Sequence, residues 1–295
     1  MTHHKYLRTL CLQTKEEVFA THGTALPCPE GNLRYLDNGS NVLAVCHVDT
    51  VPHKPAYREK RGKAFSTALD DRLGIYILTH LLPSKGVVLD WLFTDNEECG
   101  ASTARYFDSP KAYNWTVEFD RQGDDVVLYQ YDDGQLDEAF AEVGVAVGYG
   151  SYSDIVDLPE TGTTCFNWGI GYQRQHTAAC YVDFKEMDAQ VDAFCRFHEA
   201  HKDERLAFDA DAAEALYYGD FGYDLERYDD ARPYDDLLDD LWKDYRDPVA
   251  YEDPEIGIVR QSETDALEDL LMSAVDTAPR LNARQQMILE RYFQW

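Results

Sequence analysis

Histidines and carboxylates that could bind metal ions are concentrated in five short motifs of the sequence. The motifs are HVD at 47–49, LDD at 69–71, NEE at 96–98, EFD at 118–120 and QHT at 175–177. Imidazole nitrogen and carboxylate oxygen both bind zinc at about 2.0–2.2 Å, and a catalytic zinc site keeps one position open for water. Two metal ions about 3.5–4 Å apart can hold both the attacking water and the oxygen that it creates. These residue types therefore predict a pair of divalent metal ions and a metal-dependent hydrolase.

Short apolar segments precede most of these motifs. Four segments are typical of buried strands: 41–46, 87–94, 116–119 and 163–170. Helices are predicted between and after them at 71–82, 101–107 and 186–202. This alternation predicts an α/β fold with a mostly parallel central sheet and helices on both faces. Because ligands bind beyond the carboxyl ends of such strands, we expect the motifs to meet at that edge of the sheet.

Each motif has a simpler interpretation when it is viewed alone. A single histidine after a strand, such as His47, is more often a core histidine than a ligand. Acidic residues at a helix start, such as Asp70 and Asp71, can cap the helix and interact with its dipole. Asp120 could merely pair with Arg121. The metal-site interpretation is favoured because all five motifs fall at the loop ends of one predicted sheet.

The composition excludes several classes of partner. The 295 residues include 27 basic and 55 acidic residues, a net charge of −28, which argues against nucleic acid because phosphate binding requires basic patches. No apolar run reaches the ~18 residues that a membrane span needs. The start has no signal-peptide pattern, and the seven cysteines form no CxxC pair. We therefore expect a cytoplasmic protein with no nucleic-acid or membrane partner. Asp outnumbers Glu 35 to 20. This excess fits two interpretations, a protein surface adapted to high salt or an ordinary acidic surface.

Taken together, HVDTVP, ALDDRLG, TDNEECG, EFDRQG and the late histidine resemble the co-catalytic zinc exopeptidases over roughly residues 35–200. This superfamily includes aminopeptidases, tripeptidase-like enzymes and the carboxypeptidase G group. The resemblance implies two divalent metal ions, with Zn²⁺ favoured and Mn²⁺ or Co²⁺ also suitable. It implies a first metal bound by His47, Asp70 and Asp120, and a second bound by Asp70, Glu98 and His176.

The same resemblance assigns the remaining roles. Asp70 would bridge the two metals, with Asp71 as the alternative, Glu97 would be the general base and Asp49 would orient His47. The implied activity is that of an aminopeptidase or small-peptide exopeptidase. Two alternatives are an N-acyl amino-acid deacylase acting on the same kind of bond and an inactive binding module.

Two spacings and a change of composition predict the domain organisation. His47 and Asp70 are 23 positions apart and Asp120 and His176 are 56 apart, too close for the lid domain that many members of the superfamily carry. We expect one catalytic domain over 1–202 and an acidic, helical C-terminal extension over 203–295. That extension has 25 acidic and 9 basic residues.

Three further residues are candidates for the substrate pocket: Ser153, Asp154 and Tyr172.

Overall fold

The computed structural model describes residues 3–51 and 55–213 of the chain. Pro52 of the HVDTVP motif and most of the predicted C-terminal extension lie outside the described residues. The predicted division of the chain at residue 202 stays a prediction.

The described residues contain eleven strands, which form two sheets. They are β1 (Thr24–Ala25), β2 (Arg34–Leu36), β3 (Val42–His47), β4 (Arg58–Lys60), β5 (Lys63–Phe65), β6 (Asp90–Thr94), β7 (Trp115–Arg121), β8 (Val126–Val127), β9 (Cys165–Gly169), β10 (Tyr172–Gln173) and β11 (Tyr181–Asp183). The larger sheet has the order β1-β2-β6-β3-β7-β9-β8. Its four central strands, β6, β3, β7 and β9, are mutually parallel, and the remaining strands pair antiparallel at the edges.

These four parallel strands correspond to the four apolar segments of the sequence. The predicted α/β fold with a mostly parallel centre is therefore confirmed. A central parallel strand is buried on both faces and is therefore apolar along its whole length. This is why continuous apolar segments of the sequence correspond to these strands. All six residues of β3 are buried.

Helices cover both faces of the sheet. They are α1 (His3–Leu12), α2 (Lys15–Thr21), α3 (Leu69–Tyr76), α4 (Leu82–Ser84), α5 (Asp137–Glu142), α6 (Asp154–Asp157) and α7 (Phe184–His201). Alternate side chains of β3 point to opposite faces. Val42 and Ala44 pack with residues of α1, α3 and α7, whereas Leu43 and Val45 pack with residues that include Ile155 of α6.

Two predicted helices differ from the observed ones. The segment 71–82 is α-helical only as far as Tyr76 and continues as a π-helical turn over Ile77–Leu81. The segment 101–107 forms only a 3₁₀ turn, Thr103–Tyr106. A helix this short is marginal without extensive packing, and the Ser102 side chain accepts a hydrogen bond from the Ala104 N–H, which fixes the tighter turn.

The smaller sheet, of order β10-β11-β5-β4, is antiparallel throughout and was not predicted. Its strands have only two or three residues, which is too short for an alternating pattern to be recognised. The sheet matters for the site because the turn between β10 and β11 carries His176, and β5 leads into the segment that carries Asp70.

Candidate metal centre

The structure brings all seven predicted site residues together at the carboxyl ends of the central strands. They are His47, Asp49, Asp70, Glu97, Glu98, Asp120 and His176. His47 ends β3, and the 3₁₀ turn Glu97–Cys99 follows shortly after β6. Asp120 lies inside β7 and not beyond the strand end as predicted, because the strand continues to Arg121.

The carboxylate of Asp70 lies between two separate groups of potential ligands. Its Oδ1 is 3.0 Å from Nε2 of His47, which is also 3.4 Å from Oδ1 of Asp120. Its Oδ2 is 3.0 Å from Nε2 of His176, which is 2.9 Å from Oε2 of Glu98. Each group offers one imidazole nitrogen and two carboxylate oxygens within 4.8 Å of one another. Asp70 is the member that the two groups share.

Asp71 belongs to neither group. Its Oδ1 accepts a hydrogen bond from the backbone N–H of Gly74 at 2.8 Å, and the side chain is completely buried. The peptide bond between Asp70 and Asp71 is cis. Of the two adjacent carboxylates, Asp70 is therefore the one that lies between the two histidines.

Asp49 supports the site in a way that the sequence did not specify. Nδ1 of His47 lies 3.0 Å from the main-chain oxygen of Asp49 and 3.6 Å from its carboxylate. The carboxylate instead accepts hydrogen bonds from the backbone N–H groups of Glu97 and Glu98, at 3.3 and 3.2 Å. Asp49 therefore holds two elements at once, the end of β3 and the turn that carries both glutamates.

The site concentrates negative charge. Hydrogen bonds that the His176 imidazole donates to the carboxylates of Asp70 and Glu98 raise its pKa to about 10. Burial raises the pKa of Glu97 to about 8, and the nearby carboxylates of Asp154, Asp70 and Glu98 add to the shift while His47 opposes it. Both shifts have the direction expected where too many carboxylates share one volume without enough positive charge. A cation bound among them would supply that charge.

The spacing of the donor atoms fits metal ions. Two ligands of one tetrahedral zinc, each at about 2.1 Å, lie ~3.4 Å from one another. The separations from the two histidine nitrogens to the carboxylates of their groups are 2.9 to 3.4 Å. Nε2 of His47 is farther, 3.9 Å, from Glu97, which belongs to neither group. Nitrogen and oxygen donors of this kind suit zinc and related divalent ions.

A cavity of about 250 Å³ opens onto the two groups. Tyr172 lines it, and its hydroxyl donates to the main-chain oxygen of Asp120 at 2.8 Å. The candidates Ser153 and Asp154 do not line it, although the preceding residues Ser151 and Tyr152 do. The Asp154 carboxylate is instead buried and accepts hydrogen bonds from the hydroxyl groups of two residues, Thr94 and Ser102.

Several residues that line the cavity were missed from the sequence: Arg121, Gln122, Tyr129, Gly150, Asn167 and Gln175. The neighbouring EFD and QHT motifs were the available signal for Arg121, Gln122 and Gln175. Nothing local marked Asn167, whose side-chain oxygen accepts from the backbone N–H of Asp120 at 3.0 Å. Its role depends on the pairing of β7 with β9.

No described helix combines the length and the apolar character that a bilayer crossing needs.

Comparison with solved structures identifies the fold. The aminopeptidase PepT from Bacillus cereus matches with a TM-score of 0.50 and 11% identity, over 66% of this chain and 96% of that one. A tripeptidase from Staphylococcus aureus matches with a TM-score of 0.49 and 11% identity, over 72% of this chain and 98% of that one. A TET aminopeptidase from a marine sediment thaumarchaeon matches with a TM-score of 0.49 and 12% identity, over 73% and 100%.

No family model and no curated protein matches the sequence. At 11% identity, the likeness to the PepT structure shows a shared fold. The fold that the resemblance to the co-catalytic exopeptidases implies is therefore confirmed.

Proposed function

We propose that the protein is a two-metal peptidase that hydrolyses amide bonds of small peptides, acting as an aminopeptidase or small-peptide exopeptidase. One observation supports this most directly: the two oxygens of Asp70 are directed to two different histidine–carboxylate groups. A shared carboxylate of this kind suits a pair of ions better than a single ion. We propose Zn²⁺ for both positions, with Mn²⁺ or Co²⁺ as ions that the same donors would accept.

We propose three side chains as ligands of each ion. His47, Asp70 and Asp120 would hold the first, and Asp70, Glu98 and His176 would hold the second. When bound, such ions lower the pKa of a water molecule and polarise the carbonyl that it attacks.

The chain itself supplies the proton transfer. Glu97 lies beside the two groups without belonging to either, with its Oε2 3.9 Å from Nε2 of His47, where it would exchange a proton with a water held between the groups. It would accept the proton of the water and give it to the leaving amine. Asp49 would keep Glu97 in place through the hydrogen bond from the Glu97 N–H.

The shape of the site supports a small substrate. The cavity of about 250 Å³ is below the range of roughly 300–1,000 Å³ that is common for ligand pockets. Its walls are mainly polar, with tyrosine, glutamine and asparagine side chains that can bond to peptide groups. Short peptides are small enough for this volume and carry peptide groups that these side chains can bind.

Metal content and peptide hydrolysis, measured on the same preparation, test the proposal. We expect about two metal ions per chain, with hydrolysis of aminoacyl anilides or short peptides lost on chelation and restored by Zn²⁺, Mn²⁺ or Co²⁺. Glu97→Gln should retain both ions and lower kcat about 10²- to 10⁴-fold. His176→Ala should lose one ion, whereas His201→Ala, which changes a histidine paired with Glu204 outside the site, should keep both.

Two results would contradict the proposal. Full activity in Glu97→Gln would remove its role as the base, and unchanged metal content in His176→Ala would remove it from the ligand set. Two bound metals with hydrolysis of N-acyl amino acids but not of peptides would move the assignment to a deacylase.

A further inference from the structure

An irregularity in β7 places an arginine beside the metal ligand Asp120. The pairing of β7 with β9 shifts register between Glu118 and Arg121. In a regular strand the side chains of Asp120 and Arg121 would point to opposite faces, but a bulge re-aims them. Both residues consequently line the same cavity. Among the described residues that line it, Arg121 is the one lysine or arginine.

The Arg121 guanidinium is held in a fixed orientation. Its Nε and Nη2 donate to the two carboxylate oxygens of Asp125 at 2.9 and 3.0 Å. Two glycines make room for this partner. A Cβ at Gly148 would collide with the Asp125 carboxylate, and a Cβ at Gly169 would lie 2.6 Å from the Asp125 main-chain oxygen. The absence of side chains at these two glycines thus leaves room for Asp125 to pair with Arg121, and the two side chains are 27% and 23% exposed.

This side-on pairing leaves part of the guanidinium available. Arginine has five N–H donors, and Asp125 takes one from Nε and one from Nη2. The structure records no bond from Nη1 to any described residue. The Arg121 side chain is 23% exposed and lines the cavity, so we expect its remaining donors to be reachable from there. Two parallel N–H groups match the two oxygens of a carboxylate.

We propose that Arg121 binds a carboxylate of the substrate, so that the preferred substrates are short peptides with a free C-terminal carboxylate near the scissile bond. The proposal rests on the peptidase function proposed above and names its substrate class. An anionic group entering a cavity that carboxylates dominate needs a positive partner, and Arg121 supplies it. The Asp125 pairing orients the arginine without using the donors that face the substrate.

Matched substrates that differ only in this carboxylate provide the test. The metal-loaded enzyme is assayed with leucyl-glycyl-glycine and with its C-terminal amide. We expect wild-type kcat/KM to be about 10- to 100-fold higher for the acid, mainly through KM, because the contact is made equally in the ground and transition states. In Arg121→Gln this acid-to-amide ratio should fall to about one.

Two further variants separate recognition from structure. Arg121→Lys keeps a cation opposite Asp125 but cannot bond through a planar fork, so it should fold and lower the ratio several-fold. Arg105→Gln removes another arginine that pairs with an aspartate, Asp157, outside the cavity lining, and it should leave the ratio unchanged.

The proposal is overturned if the wild type cleaves acid and amide equally well, or if both Arg121 variants slow both substrates by the same factor. If the wild type cleaves neither, the peptidase function fails, and calorimetric binding of the two peptides then decides the role of Arg121 separately. Tighter binding of the acid that disappears in both Arg121 variants would retain the carboxylate site, and equal binding would exclude it.

Discussion

Nζ of Lys15, in the first turn of α2, lies 2.8 Å from Oδ1 of Asp95, whose side chain is completely buried. Asp95 also accepts hydrogen bonds from the backbone and side chain of Asn32 and from the backbone N–H of Asn96. Asn96 has a left-handed conformation, with φ of 67°, and begins the turn that carries Glu97 and Glu98. An N-terminal helix thus helps to fix the turn that carries the proposed base and one proposed ligand.

Lys15→Ala should lower the free energy of unfolding by about 1–3 kcal/mol, because it removes a charged partner from a buried carboxylate. Urea unfolding followed by circular dichroism measures the change. Lys85→Ala is the matched control, since Lys85 pairs with the exposed Asp192 at a similar distance of 2.7 Å. It should change stability by less than about 1 kcal/mol. Equal effects of the two substitutions would contradict the structural role of Lys15.

Asp90, at the start of β6, is a buried carboxylate with five donors. They are the hydroxyl groups of Tyr35 and Tyr113, the backbone N–H groups of Asn38 and Ser40, and the ammonium of Lys111. Burial alone would raise the pKa of Asp90, but these donors overcome it and lower the pKa. The folded state therefore favours the ionised form.

A carboxyl group whose pKa is lower in the folded state than in the unfolded state stabilises the protein at pH values above its unfolded-state pKa. This contribution is lost as the pH falls through the folded-state pKa. Asp90→Asn should accordingly cost about 1–3 kcal/mol at pH 7. The difference between wild type and variant should shrink as the pH falls below about 4. Urea unfolding at a series of pH values measures the difference in the free energy of unfolding. A difference independent of pH would show that the charge of Asp90 does not stabilise the folded protein.

Gly74→Ala should destabilise the protein, although glycine to alanine in a helix usually stabilises by about 0.4–1 kcal/mol. A Cβ at Gly74 would collide with the Asp71 carboxylate and with the main-chain oxygen of Phe119. Displacing these groups should cost about 1–3 kcal/mol, because both are buried in a packed core. Thermal unfolding gives the sign directly. A stabilised variant would mean that Asp71 does not occupy this position against the helix.

The motifs predicted the centre of the site because its chemistry is concentrated in short sequence segments. His47 and Glu97 each follow an apolar strand, and the ends of neighbouring parallel strands must meet at one edge. The choice between Asp70 and Asp71 could not be made from the sequence. It depends on which carboxylate packs against Gly74, and that packing is a tertiary contact.

Other features had no local signal. Arg121 faces the cavity because of a register shift against β9, and neither strand shows that shift in its own residue pattern. Lys15 is 80 positions from Asp95, so its contact could not be inferred from spacing. The smaller sheet also gave no local signal. Its strands have only two or three residues and are stabilised by pairing with one another, so no apolar alternation marks them in the sequence.

Tyr172→Phe should weaken metal binding at the proposed first site without unfolding the protein. The Tyr172 hydroxyl lies 2.8 Å from the main-chain oxygen and 3.3 Å from the carboxylate of Asp120, so it fixes the orientation of that side chain. Groups that orient a metal ligand in this way typically contribute about 10- to 100-fold to affinity. We expect a loss in this range when the protein competes with a chelator for Zn²⁺.

Tyr57→Phe is the matched control. It also removes a tyrosine hydroxyl that donates to a carboxylate, but this carboxylate, Glu59, lies outside both metal groups, so the affinity for Zn²⁺ should be unchanged. Because the Tyr172 substitution removes no ligand atom, both ions should still bind at saturating Zn²⁺. Loss of one ion at saturation would instead make the Tyr172 hydroxyl part of the binding site. Affinity equal to that of the wild type would show that the Tyr172 hydroxyl is not needed to orient Asp120.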